Sequence, residues 1–302
     1  MKTRLGIFIS ALLLLPLSGL LLSGQEWNEL ADGMLPATDS IFAALMTVTV
    51  LLGYTLLINL FVKIRTGNNP FIRQRNYFLA TGAASAVLGW LLAYLNLFAA
   101  SWSSEQGNSA MQLLFCTLMF ALLAPSVLTT RALVGSFTGL LKRLARGIPL
   151  PLPSSEFQVF GLLSLAAVGL LGGAAWPTQL FWLLWIAPLL LLVALQLMWH
   201  ESTVFSGLKS GDWARVIYAS LSGMVVGNLA VLSYQLAGGS LIINLPNPLL
   251  AQLGYALFGL LCLQLGDIIA ENWRGKQRPG SFQKNRKFPI PVVVEPVARK
   301  KD

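Results

Sequence analysis

The sequence predicts an all-α, polytopic membrane bundle of about eight transmembrane helices with both termini cytoplasmic, and three observations carry that prediction. Hydrophobic residues fill 55% of the 302 positions and charged residues only 11%. Eight apolar stretches, at residues 5–22, 40–62, 77–100, 109–130, 157–176, 180–199, 216–237 and 249–270, are each long enough to cross a hydrocarbon core that needs ~20 residues. Threaded alternately, they place all 21 Lys and Arg residues on one face, which the positive-inside rule assigns to the cytoplasm.

The first stretch follows Lys2 and Arg4 and resembles a signal peptide. It is interrupted by Pro16 and lacks both a small-x-small cleavage site and a lipobox cysteine, so an uncleaved anchor is expected. The outer segment after it is acidic, with Glu26, Glu29, Asp32 and Asp39, and Glu105 lies in the next outer connector. The second stretch ends in the basic loop 63–76, where Asn68, Asn69 and Pro70 break the helix before the third. After the fourth, Leu133, Phe137, Leu140, Leu141 and Leu144 recur near helical spacing beside Lys142, Arg143 and Arg146. Segment 131–147 is therefore expected to lie as an amphipathic helix on the inner leaflet. The alternating prolines of 148–153 form a stiff strap leading back to the membrane.

Small residues mark the faces where later helices should meet. The fifth stretch carries Gly161, Ser164, Ala167, Gly169, Gly172 and Gly173; the seventh offers Ser220, Gly223 and Gly227; the eighth aligns Tyr255, Gly259, Cys262 and Gly266 on one stripe. The seventh and eighth are the expected tight pair. Pro188 interrupts the sixth stretch and reads either as a packing kink or as a transporter-type break. Trp199, His200 and Glu201 are expected at the headgroup level, and Gly211, Asp212 and Trp213 read as a turn and N-cap opening the seventh helix. Residues 1–272 thus form one transmembrane domain. Residues 273–302 form a basic cytoplasmic tail, disordered by composition, whose extended, proline-framed centre at 288–297 suits the sheet edge or groove of a cytosolic partner.

Composition excludes several function classes. The formal charge of +9 follows from orientation and from the tail, so no nucleic-acid partner is implied. Cys116 and Cys262 both lie in apolar stretches without a CxxC partner, against a structural disulfide or thiolate metal site. The lone His200 sits at a helix end, against a haem ligated within the bilayer. No nucleophile elbow, metalloprotease motif or P-loop occurs, and no enzyme is expected.

Two groups of polar residues remain as candidates. Asp267 and Glu271 share one face near the cytoplasmic end of the eighth helix, either salt-bridged and solvated or forming a functional carboxylate pair. At the outer ends of the last two helices, Asn228, Tyr234, Gln235, Asn244, Gln252 and Tyr255 gather around the uncharged connector 238–248, itself expected to be interfacial or re-entrant. They read either as interhelical hydrogen bonding or as the few polar groups of an apolar quinone or lipid site.

Gln74 and Arg75 in the first basic loop, the run of Trp176, Pro177, Trp182, Trp185, Ile186, Ala187 and Pro188, and the final Gly266, Asp267, Ile268 and Ile269 carry a resemblance. From residue 40 onward the chain resembles the haem-free membrane-anchor subunits of dimethyl sulfoxide reductases and related molybdoenzymes. That resemblance implies a quinol-oxidising anchor that docks an iron–sulfur subunit. The chain departs from it in lacking an outward histidine and in adding an N-terminal span and a basic tail. The expectation is accordingly a non-catalytic integral subunit or anchor of a multi-protein membrane assembly, respiratory or envelope, in contact with membrane lipids and partner subunits and with quinone as the one cofactor considered. The alternative is a transporter of an uncharged or lipid-like solute.

Overall fold

The computed structural model of the protein describes residues 40–67, 69–104, 110–137, 139, 143–150 and 156–273. The first apolar stretch, Asn68, Glu105, residues 151–153 of the strap and the basic tail after Trp273 with its segment 288–297 lie outside the described residues.

Seven of the described helices are long and apolar enough to cross a membrane, which makes the fold a multi-pass helical bundle. They are α1 (Ser40–Thr66), α3 (Arg75–Ala99), α4 (Ala110–Gly135), α5 (Glu156–Ala175), α6 (Pro177–Met198), α7 (Ala214–Leu236) and α8 (Pro248–Trp273), with α2 (Pro70–Arg73) a single turn between the first two. In hydrocarbon every backbone amide and carbonyl must find its partner within the segment, and a helix of Leu, Ala and Val does so at low side-chain cost. Several helices run past their apolar stretch into the basic end. α4 reaches Gly135 and α8 reaches Trp273, and α1 reaches Thr66 with Lys63 and Arg65 in its last turn, where long basic side chains can lie along the helix while their charges reach water. α4 and α6 continue unbroken through Pro125 and Pro188, both buried.

The exterior is what a lipid solvent permits. Leu97 and Leu171 are each 75% exposed and Leu79 is 62% exposed, an arrangement that water would penalise and acyl chains do not. The main core lies where α3, α4, α6, α7 and α8 meet, built from Leu88, Leu128, Leu189, Val193, Ala219 and Leu261. A second cluster joins α1 to α4, α7 and α8 through Leu51, Val127, Val226 and Cys262.

Glycines set the closest approaches. Gly223 and Gly259 bring the backbones of α7 and α8 together, so that a Cβ on Gly223 would lie 2.6 Å from the Gly259 Cα. Gly227 receives the ring of Tyr255, while Gly266 faces Tyr77 and Leu128 on α3 and α4 rather than α7. α5 and α6 form a second close hairpin through Gly169 and Gly173, which meet Ala187, Leu183 and Leu184. Trp176 alone separates these two helices, and Pro177 opens α6 at its first position.

The all-α bundle carries one small addition, a two-stranded antiparallel ribbon, β1 (Trp102–Ser104) with β2 (Leu241–Ile243), in which Ser103 pairs with Ile242, and two expectations are corrected. The connector 238–248 contributes β2 and so is tied to the α3–α4 connector. Segment 131–147 does not form one surface helix, since its first five residues complete α4 and bury Leu133 and Val134 in the bundle. Finally, Glu201, expected at the headgroup level with Trp199 and His200, is buried. The chain after α6 turns back into the bundle, where Val204 is fully buried and its amide donates to the Gln264 side chain at 2.9 Å. Gln264 also donates to Gln196, a second fully buried amide, on α6. His200, at a left-handed φ of 55°, makes that reversal and stays exposed.

Every charged residue among those described lies at one end of the bundle, and the ribbon closes the other. At the basic end, residues 143–150 dock on the loop before α7: Trp213 donates its indole N–H to the Ile148 carbonyl at 2.9 Å, and the Leu150 amide donates to Leu208 at 2.9 Å. Asp212 accepts from the Ala214 amide at 2.9 Å and Gly211 takes a φ of 79°, so this triplet is a turn that opens α7, although Trp213 occupies the cap position itself.

Candidate functional site

Beneath the ribbon, α3, α4, α6, α7 and α8 enclose a cavity of about 320 Å³. Its walls are aromatic and aliphatic: Trp90 and Leu92 from α3, Met119 and Phe120 from α4, Leu184 and Trp185 from α6, and Phe258 and Leu261 from α8. Trp90 and Phe120 meet edge to face at 5.4 Å, as do Phe181 and Trp185 at 5.7 Å; such pairs hold flat walls in fixed orientation. The roof is Trp102, Ser104, Leu241, Ile243 and Leu245.

The polar groups of the roof are largely occupied. Asn96, at the end of α3, donates to the Trp102 carbonyl at 2.7 Å and accepts from the amides of Ser101 and Trp102 at 3.0 and 3.2 Å. It thereby folds the chain leaving α3 into β1. Trp185 donates to the Ser101 hydroxyl at 3.0 Å and Trp90 to the Thr117 hydroxyl at 3.0 Å. Tyr234 and Tyr255 also line the cavity, and neither hydroxyl is hydrogen-bonded to another described residue.

The six polar residues singled out from sequence divide accordingly. Asn228 and Gln252 pair with each other, the amide of each donating to the other's carbonyl at 2.8 and 2.9 Å, and clamp α7 to α8. Gln235 donates to the Leu241 carbonyl at 2.8 Å and holds β2 against α7. Asn244 reaches across the ribbon to Ser103 at 3.2 Å, and its backbone amide donates to the Ser101 carbonyl at 2.9 Å. These four build the frame, and the two tyrosines face the space it encloses. Sequence reasoning missed the α3, α4 and α6 walls, although the tryptophans of α3 and α6 were a visible signal.

At the basic end Asp267 is ion-paired with Arg215 of α7 and lies within electrostatic reach of Arg131 from α4 and of Glu271 one turn on. Asp267 therefore joins helices. Among the described residues no group of three or more His, Cys, Asp and Glu side chains could hold a metal ion.

The chain matches no family model, no curated protein and no solved structure.

Proposed function

We propose that this protein is a non-catalytic integral subunit of a larger membrane assembly, respiratory or envelope, and that its ribbon-end cavity holds a lipid-like molecule, quinone among the candidates. The carrying observation is the aromatic-walled cavity of about 320 Å³, which falls within the ~300–1,000 Å³ typical of small-molecule sites. Its polar frame is engaged in joining helices rather than in arranging an acid, a base and a nucleophile. The distribution of Lys and Arg supports a cytoplasmic basic end and an outward ribbon in a bacterial-type inner membrane, with eight spans and both termini inside when residues 5–22 are included. The resemblance to the anchor subunits of molybdoenzymes supports partner docking at the basic end, to which residues 288–297 would contribute. The transporter alternative drew on breaks at Pro188 and Pro16 and on the polar groups of the last two spans; α6 runs unbroken through Pro188 and Asn228, Gln252 and Gln235 are engaged in structural hydrogen bonds, which supports a holding role.

Extraction in mild detergent with affinity capture of the full chain tests the subunit role. Stoichiometric co-purification of at least one other membrane or inner-face protein is expected, and a lone 32.7 kDa chain in several detergents would overturn it. For the orientation, a cysteine at Ser103 should react with an impermeant thiol reagent added outside intact spheroplasts, whereas one at Lys209 should react only after lysis.

A further inference from the structure

We infer that the ribbon-end cavity binds one uncharged, single-chain lipophile whose oxygen-bearing head is held by the hydroxyl of Tyr255. This rests on the reading of the cavity as a lipophile site and specifies what that site accepts.

Charge comes first. No side chain with a formal charge lines the cavity among the described residues, and most of its lining is apolar. A charged head placed there would lose its hydration without gaining an ion partner, which low-dielectric surroundings penalise heavily. The ligand is therefore neutral. Hydrogen bonding comes second. Asn96 and the indoles of Trp90 and Trp185 are already engaged, and of the other polar side chains that line the cavity, Ser101, Ser104, Cys116, Tyr234 and Tyr255, the tyrosines carry their hydroxyls on the longest and most rigid side chains. Each can donate one hydrogen bond and accept others, which suits a hydroxyl or carbonyl head. Tyr255 is fixed for the task, since its ring packs on Gly227, where any side chain would displace it. Size comes third. A space of about 320 Å³ lies at the lower limit of small-molecule sites, and it takes one chain or one ring with the start of its tail, whereas a two-chain phospholipid is excluded. Its flat walls reward close dispersion contact along the whole of a slender ligand.

The test uses the full chain reconstituted in phosphatidylcholine nanodiscs and three photoactivatable probes of matched chain length: a diazirine-bearing hexadecanol, the corresponding hexadecanoate at pH 8, and a diazirine phosphatidylcholine. The hexadecanol probe should label the Cys116–Leu123 and Ala251–Leu261 walls, be competed by unlabelled hexadecanol, and lose about five-fold in apparent affinity in Tyr255→Phe, the size of one hydrogen bond. Ala230→Phe, which fills the space from α7, should abolish wall labelling while the variant keeps its elution volume and melting midpoint. Competition by a short-tailed quinone would place quinones inside the same class. Equal wall labelling by hexadecanoate or by phosphatidylcholine overturns the ligand class, as does an unchanged affinity in Tyr255→Phe. Labelling confined to outward residues such as Leu97 and Leu171 overturns the cavity reading itself, and with it this inference.

Discussion

Ser85 of α3 is hydrogen-bonded to Phe120 of α4, its hydroxyl donating to the Phe120 carbonyl at 2.5 Å while accepting from the Ala124 amide at 3.1 Å. Those two backbone groups are the pair that an uninterrupted helix would join to each other. Pro125 follows immediately and has no amide hydrogen to offer the Ala121 carbonyl, so Ser85 braces α4 at the turn beside the one its proline weakens. Ser85→Ala removes the bridge from a buried site and should lower stability by about 1–2 kcal/mol. A melting midpoint in fixed detergent that does not move would show that α4 restores its own hydrogen bond instead.

The glycines of α7 and α8 should be unequal to the other helical glycines. Gly223→Ala and Gly259→Ala drive a methyl into the facing backbone and should each cost roughly 2 kcal/mol or more, whereas Gly161→Ala meets open space and should gain up to ~1 kcal/mol from helix propensity. Unfolding in mixed detergent ranks the three variants directly. A neutral Gly223→Ala would mean that the two backbones separate freely.

Asn228 and Gln252 offer a reciprocal test. Replacing either one with Leu strands the partner's amide between helices and should cost about 1–2 kcal/mol, while replacing both should cost less than the sum of the two. Strict additivity in the double-mutant cycle would indicate that the pair is not formed.

For Arg215 and Asp267 the expected coupling is smaller. Both side chains remain partly exposed, at 32% and 22%, so screening by water limits the pair to about 1 kcal/mol in a cycle of Arg215→Ala and Asp267→Ala. The coupling should fall as salt is raised. A coupling that is indifferent to salt would place the pair in a drier setting than its exposure indicates.

What could be read from the chain and what could not divide along a physical line. Spans are written locally, because a helix in lipid needs only its own apolar residues. Seven of the eight stretches accordingly appear as long helices, and the first lies outside the described residues. The glycine face between α7 and α8 is likewise carried by a spacing within each helix. The polar candidates were identifiable as residues but not as partners. Nothing in the sequence says that Asn228 answers Gln252, or that Arg215 and Arg131 approach Asp267 from separate helices. The ribbon was the least visible element, since each strand has three residues and its partner comes from another connector. The inward turn of Thr203 and Val204 was hidden for a related reason: its anchor, Gln264, sits 60 positions away.

That ribbon also imposes an order on assembly. Asn244 contacts Ser103 across 141 positions of sequence, so β1 waits with unpaired edges until the last hairpin of the protein has been delivered to the membrane. Contacts this distant form late, because the closure entropy of the loop between them must be met first. Until then the space under the roof stands open to the aqueous side, and a chain interrupted before Leu241 would keep it open indefinitely. Completion of the last helix pair is thus the event that puts a roof over the cleft.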